Sequence, residues 1–258
     1  MNPSDQIVEI NSISHWTDGL ISLRTNRPSS FRFESGEFVM LGLHDHKKNP
    51  LFRAYSISSP NWADHLEFYS IIVPGGAFTT SLNKLKTGDQ LLLRAKPTGT
   101  LVLGALLPGK RLIMHATGTG IAPFASIIQD PNTYEAFSTV IVTHTTRYIS
   151  ELGYSQKVIG SAKENIVTSE FCREGLKYFP TVTRQEFENK GRINSLIKSG
   201  KMLSKLKIND INPDTDRVMF CGSVEFNRNM KELYINRGFF EGSLNRPGSF
   251  VLEKAFVG

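Results

Sequence analysis

RLIMHATGTGIAPFASIIQD, residues 111–130, decides the fold class. A compact apolar run ends at Ala116, small residues follow through Gly120, and a helix-like segment continues from Ile121. That is the grammar of a buried parallel strand handing over to a helix through a tight turn. Gly118 and Gly120 would let a backbone come close to a bulky ligand, and the helix N-terminus favours negative charge. Pro123 suits a first helical turn, where its missing N–H is no loss. The spacing is not G-x-G-x-x-G and no acidic residue follows at the usual distance, so a plain Rossmann fingerprint is not met. Alone, the turn reads equally as a strand-to-helix connection or as a nucleotide loop.

Downstream the same alternation continues. STVIVTH (138–144), KYFPTVT (177–183) and RVMFCG (217–222) are further apolar strands, and SFVLEKAFVG (249–258) is a last one. LGYSQKVIG (152–160) and SVEFNRNMKELYINRG (223–238) have helical spacing. Residues 105–258 are therefore expected to form a doubly wound α/β domain, with a parallel sheet covered on both faces and ligands beyond the carboxyl ends of its strands. SAKENIVTSEFCREG (161–175), which contains Cys172, fits none of these elements.

Upstream the pattern is different. QIVEINSIS, LISLRT, EFVMLGL, RAYSISS, LEFYSIIV and DQLLLRA alternate with period two, and turn signals such as Asp18-Gly19, Ser35-Gly36, Asn49-Pro50 and Gly75-Gly76 separate them. TTSLNKLK (79–86) is the helix candidate. Residues 1–104 thus read as a small antiparallel β-barrel or sandwich, and the change of grammar falls near Leu103-Gly104. A β + α/β pair of this kind creates a cleft between domains, a common place for a cofactor.

Composition removes several classes. The 258 residues are 40% apolar, enough for two cores, and no run approaches the roughly 20 apolar residues of a membrane span. MNPSDQIVEI carries no basic-then-apolar signal, so a soluble cytoplasmic protein is expected; a monomer is a separate expectation. Two cysteines, Cys172 and Cys221, cannot furnish an iron–sulfur cluster or a zinc knuckle, so no metal is expected. The net charge of +6 comes without basic runs interleaved with aromatics, which argues against nucleic acid and leaves an anionic membrane surface, an acidic protein, a phosphorylated ligand, or scattered lysines that serve solubility alone.

Three further motifs stand beside the glycine turn. Cys221-Gly222-Ser223 repeats the context of a strand, small residues and a helix. RAYS places the Arg53 guanidinium, suited to a phosphate, on the same strand face as the flat ring of Tyr55, with Ala54 and Ser56 on the other face. VPGGAFTT (73–80) offers backbone N–H groups and the hydroxyls of Thr79 and Thr80 to a pyrophosphate, or else a capped helix with one of those threonines as N-cap.

Taken together, RAYS-SP, LEFYS, VPGG-TT, ATGTGIAP, HTTRY-ELGY, TVTR, GRI, CGS and EKAFVG resemble, in order and over nearly the whole chain, the bacterial-type ferredoxin/flavodoxin–NADP(+) reductases. The resemblance implies an FAD-binding barrel and an NADP(H)-binding domain. It implies hydride exchange with NADP(H) and one-electron exchange with an acidic carrier, ferredoxin or flavodoxin, met transiently. For FAD it implies Arg53 at the pyrophosphate, Ala54 among the binding residues, Tyr55 stacked on the isoalloxazine, and Ser56 near its reactive nitrogen. Tyr69 and Ser70 would line the flavin, Gly76, Ala77, Phe78 and Thr79 would cap its phosphates, and Thr119 would touch flavin and nicotinamide. Ala255 would cover the ring weakly where plant-type members place an aromatic, and Phe256 would pack on the adenine. For NADP(H) it implies Gly118, Gly120, Thr146, Arg147, Arg184, Arg192, Cys221, Gly222 and Ser223, the three arginines reading the 2′-phosphate. Ser56, Cys221 and Glu253 would be the catalytic set, Glu253 being a cleft carboxylate linked to Ser56 and to proton supply. The alternatives are a reductase component for an oxygenase, a haem protein or free flavin, and a flavin-binding sensor without turnover.

Overall fold

The computed structural model describes residues 5–44 and 49–254. Six strands make the first sheet: β1 (Asp5–Thr17), β2 (Leu20–Asn26), β3 (Phe38–His44), β4 (Pro50–Ser56), β5 (His65–Ile71) and β6 (Gln90–Arg94). The sheet is antiparallel, in the order β4-β3-β6-β1-β2-β5. Alternate residues face inward, as the period-two pattern requires: Val8 and Ile10, Ile21 and Leu23, Val39 and Leu41, Leu66 and Phe68, and Leu91 and Leu93 share one core. Register shifts in β1 after Ile10 and after His15 help the long strand curve. The two edges then meet. Ile57 bridges Phe68, Ser58 donates its N–H to the Glu67 carbonyl at 2.8 Å, and the Tyr55 and Ser70 hydroxyls lie 3.0 Å apart. Closure of this kind leaves no open edge between β4 and β5, and the expected barrel is what forms.

Helix α1 (Ala77–Leu82) begins two residues before the expected TTSLNKLK and ends sooner. Its N-cap is Gly76, in an extended conformation with no side-chain cap, so neither Thr79 nor Thr80 caps it.

The second half contains β7 (Arg111–Thr117), β8 (Thr139–Thr146), β9 (Leu176–Val182), β10 (Asp216–Gly222) and β11 (Phe250–Lys254). They form a parallel sheet in the order β11-β10-β7-β8-β9. Helices α2 (Ala122–Ile127), α3 (Pro131–Ala136), α4 (Gly153–Glu164), α5 (Ser169–Gly175), α6 (Ile193–Lys198), α7 (Lys201–Leu206) and α8 (Val224–Ile235) complete it. On one face Leu112, Met114, Val140 and Val142 pack with Phe124, Ile128 and Tyr154; on the other Ile113, Ile141, Val218 and Phe220 pack with Ile197, Met230 and Tyr234. Both faces are covered, as near-continuous apolar strands demand. The unplaced segment 161–175 extends α4 and supplies α5, whose Cys172 is buried with its thiol 3.1 Å from the Tyr134 hydroxyl.

The two halves share a core. Leu20 and Tyr69 of the barrel join the cluster that contains Tyr154 and Leu112. The Tyr69 ring lies flat on Tyr154, with centroids 4.0 Å apart at 9°, and Trp16 meets Tyr154 edge-on at 5.4 Å. Trp62 donates its indole N–H to the Gln129 carbonyl at 2.8 Å, and Asn61 bonds the Asp130 carboxylate at 3.0 Å. These contacts fix where the cleft lies.

Candidate active site at the domain junction

Two strand-to-helix turns interlock at the carboxyl end of the parallel sheet. A Cβ on Gly120 would stand 2.3 Å from the Cys221 carbonyl oxygen, and one on Gly222 would stand 2.2 Å from Thr117 Oγ1. At Gly120 glycine is required because its backbone lies against that of Cys221 and Gly222, whereas at Gly222 the close neighbours are side chains, the Thr117 hydroxyl and the Phe226 ring. The expectation that Gly120 approaches a ligand is therefore corrected: it is buried and approaches Cys221. Gly118 is different. It has φ +53, a Cβ there would meet nothing within 4 Å, and it is exposed on the cavity wall.

Cys221 lies at the carboxyl end of β10, one residue before its last, as read from the sequence, yet it is 1% exposed and packs in the core instead of facing the cleft. Burial, and then the nearby Glu253 carboxyl, push its thiol well above the ordinary cysteine range. Ser223 caps α8, its hydroxyl accepting the Phe226 N–H at 3.2 Å.

A cavity of about 900 Å³ opens above these turns. Leu20, Tyr69 and Ile71 of the barrel form one wall; Thr117, Gly118, Thr119, Thr146 and Ser223 line the ends of β7, β8 and β10. Arg147, Arg184 and Arg192 reach it from the loops after β8 and β9 and from the start of α6. The ladder between β8 and β9 continues past their ends, with Arg184 N–H on the Arg147 carbonyl at 3.0 Å, so the two arginines stand side by side. Glu151 accepts the N–H groups of Arg147 and Tyr148 at 2.7 and 3.2 Å, bracing that loop. Among the described residues, Arg147 and Arg184 make no ion pair, whereas Arg192 has Glu225 at 3.6 Å, both exposed. Three guanidiniums with so little internal neutralisation fit a phosphate-bearing ligand.

On the barrel side, Arg53 and Ala54 are exposed and Ser56 is half-buried on β4. Arg53 donates to the Phe52 carbonyl at 2.8 Å and has no carboxylate partner among the described residues. Gly75, at φ +75, has open space around a Cβ, beside the exposed Ala77 that starts α1. The Arg53 guanidinium, without a carboxylate partner among the described residues, and the open glycine turn each suit the pyrophosphate of a dinucleotide such as FAD.

Four barrel residues depart from expectation. Tyr55 is 3% exposed, with its ring against Phe78 at 5.6 Å and edge-on to Phe68 at 6.4 Å, so it packs into the barrel instead of presenting a free face. Ser70 is wholly buried, bonding Tyr55 and the Ile71 carbonyl. Phe78 is a core residue, leaving its backbone alone for a ligand. The Thr79 hydroxyl is committed to Val73, accepting its N–H at 3.1 Å and donating to its carbonyl at 3.2 Å, so its proton is not free for a phosphate.

Glu253 lies on β11 opposite Cys221. Its carboxylate accepts the Thr100 N–H, with the Thr100 hydroxyl at 3.3 Å, rather than bonding Ser56 as expected. Gly99 makes room, since a Cβ there would stand 2.8 Å from Glu253 Oε1. Burial raises this carboxyl to about 7, against the opposing pull of the Thr100 and Leu101 N–H groups, and Glu37 adds to the rise. Such a group exchanges a proton near neutral pH. Ala255 and Phe256 lie outside the described residues.

The cavity wall also takes in Ile71, Asn194, Phe226 and Asn229, which no motif marks, and Glu151 and Thr183, which lie in the ELGY and TVTR motifs without a role of their own there. They meet because strand ends and a barrel edge converge. His144 was within a recognised motif, HTTRY, but its role depends on partners elsewhere in the chain.

Residues 5–102 match the family model described as an oxidoreductase FAD-binding domain. The chain is 50% identical over 249 residues to a flavodoxin/ferredoxin–NADP reductase of Rhodobacter capsulatus, covering 96% of this chain and 92% of that one. It is 45% identical to a ferredoxin–NADP reductase of Azotobacter vinelandii, covering 97% of each. The solved ferredoxin NADP+ reductase of Neisseria gonorrhoeae with bound FAD and NADP is 28% identical, with a TM-score of 0.88 over 99% of this chain and 100% of that one.

Proposed function

The chain belongs to the flavodoxin/ferredoxin–NADP reductase family, and from that premise we propose how its own residues divide the work. It is an FAD-dependent oxidoreductase that exchanges hydride with NADP(H) and single electrons with ferredoxin or flavodoxin. FAD, when bound, supplies the redox chemistry between the two-electron and one-electron partners. The polypeptide supplies binding, alignment and a proton.

Arg53 and the open turn at Gly75–Ala77 hold the FAD pyrophosphate, and Ser56 offers a hydroxyl to the flavin edge. Tyr69, braced by Tyr154, stands where the barrel meets the nucleotide cavity. Thr119 and Gly118 set the nicotinamide from below, while Arg147, Arg184 and Arg192 read the 2′-phosphate. Glu253 holds a proton close to neutral pH and delivers it toward the cleft. Residues 1–104 and 105–258 are the two functional domains. No helix among the described residues is long and apolar enough to cross a membrane; the reading is of a cytoplasmic monomer that meets its acidic carrier transiently through positive charge, a steering effect weakened by salt.

One observation carries this reading: three arginines and the glycine turn share a single cavity with a wall contributed by the barrel. Anaerobic addition of NADPH to the FAD-loaded protein should bleach the flavin absorbance, and ferredoxin or flavodoxin should restore it. A flavin that stays oxidised with excess NADPH would overturn the reading.

A further inference from the structure

The turn that begins with Gly118 is held at its two ends by different means. At Gly120 close packing on Cys221 leaves no freedom, but at Gly118 nothing lies within 4 Å of where a Cβ would be, and the residue is exposed. What reaches it is His144 on β8, wholly buried, with Nε2 2.8 Å from the Gly118 carbonyl oxygen. A carbonyl only accepts, so Nε2 carries the proton. The other ring nitrogen, Nδ1, lies 2.9 Å from Ser155 Oγ, and Ser155 Oγ lies 2.7 Å from the Tyr178 hydroxyl. His144 donates to Gly118; its Nδ1 is then an acceptor, and the Ser155 hydroxyl, which also has the Leu152 carbonyl at 2.9 Å as an acceptor, shares its one proton between the two while facing the Tyr178 hydroxyl. Burial lowers the imidazole to about 4, which keeps it neutral at working pH.

We propose that His144 is a positioning residue: its Nε2–H sets the Gly118–Thr119 peptide plane, and hence the floor on which the nicotinamide end of NADP(H) rests. The inference depends on the reading of the cavity as the NADP(H) site. Gly118 and Thr119 follow β7 at the sheet centre and share a cavity with Tyr69, whereas Arg184 follows β9, two strands away, roughly 10 Å. Loss of His144 should therefore act on one end of the ligand and leave the arginine end alone. Ser155 directly follows Tyr154, which braces Tyr69, so one turn of α4 supports both the floor and the barrel wall of the cavity.

The test compares His144→Leu, which removes the donor, with His144→Gln, whose amide nitrogen reaches about as far as Nε2. In FAD-loaded protein, His144→Leu should slow hydride transfer from NADPH roughly tenfold to hundredfold, the scale of a misplaced reactant. Its affinity for 2′,5′-ADP, which lacks the nicotinamide, should stay within about twofold. His144→Gln should recover most of the rate. NMR of the parent should show His144 as the neutral Nε2–H tautomer, a readout independent of turnover that also serves if His144→Leu fails to fold. A different tautomer, an unchanged hydride rate in His144→Leu, equal losses for NADPH and 2′,5′-ADP, or a Gln variant as slow as Leu would each overturn the proposal alone. A parent protein that does not bind 2′,5′-ADP would overturn the cavity reading and this proposal with it.

Discussion

Replacing Glu253 by Gln removes a titration while preserving shape, and the structure sets the size of the effect. In the folded protein this carboxyl is raised from 4.5 to about 7, chiefly by burial. The unfolded chain ionises near the ordinary value, so between those two pH values the folded state binds the extra proton. Stability therefore falls as pH rises through this window: the contribution is whole below about 4.5 and lost above about 7. A displacement of that size corresponds to about 3 kcal/mol. The substituted glutamine would have no charge to bury and would keep an oxygen for the Thr100 N–H, so the variant should not share the decline. Urea unfolding of parent and variant, with FAD in both, at pH 5, 7 and 9 measures the difference directly. The Glu253→Gln variant should gain on the parent with rising pH, approaching about 3 kcal/mol by pH 9. A difference that stays constant from pH 5 to pH 9 would mean that Glu253 titrates as an ordinary carboxyl, and the argument for proton supply at neutral pH would fall with it.

Arg184→Ala removes one of three cavity guanidiniums whose backbone neighbour is Arg147. Loss of a charge-assisted contact of about 1.5–3 kcal/mol should raise the KM for NADPH roughly tenfold to hundredfold and leave that for NADH within about twofold; equal changes would remove the 2′-phosphate assignment. Gly120→Ala forces a Cβ to 2.3 Å from the Cys221 carbonyl oxygen, a backbone atom that cannot rotate away. It should cost about 1–3 kcal/mol or more and lower the Tm, and a variant melting with the parent would show that the two turns are not locked together.

The order of the two halves was legible because hydrophobic period is local: alternating residues need a half-buried strand, and continuous apolar runs need a sheet covered on both faces. The glycine turn and the three arginines stand in short motifs whose residue types suit phosphate, and the fold sets them around one cavity. Helices α3, α5, α6 and α7, six or seven residues each, were not legible, because fewer than two turns show no usable periodicity. The barrel helix came out late by two residues because its cap is Gly76, which leaves no side-chain signal.

What the sequence alone determined about this protein is the kind of each element and the residue types available to bind phosphate. Tertiary structure alone decided which of those residues face the cleft. Tyr55 and Phe78 turn into the barrel core, Cys221 sinks beneath Gly120, and the Glu253 carboxyl is set by Thr100, more than a hundred residues away. The reason is physical. Backbone pattern is fixed by neighbours along the chain, whereas burial, charge environment and hydrogen-bond partners are fixed by whatever the fold brings alongside.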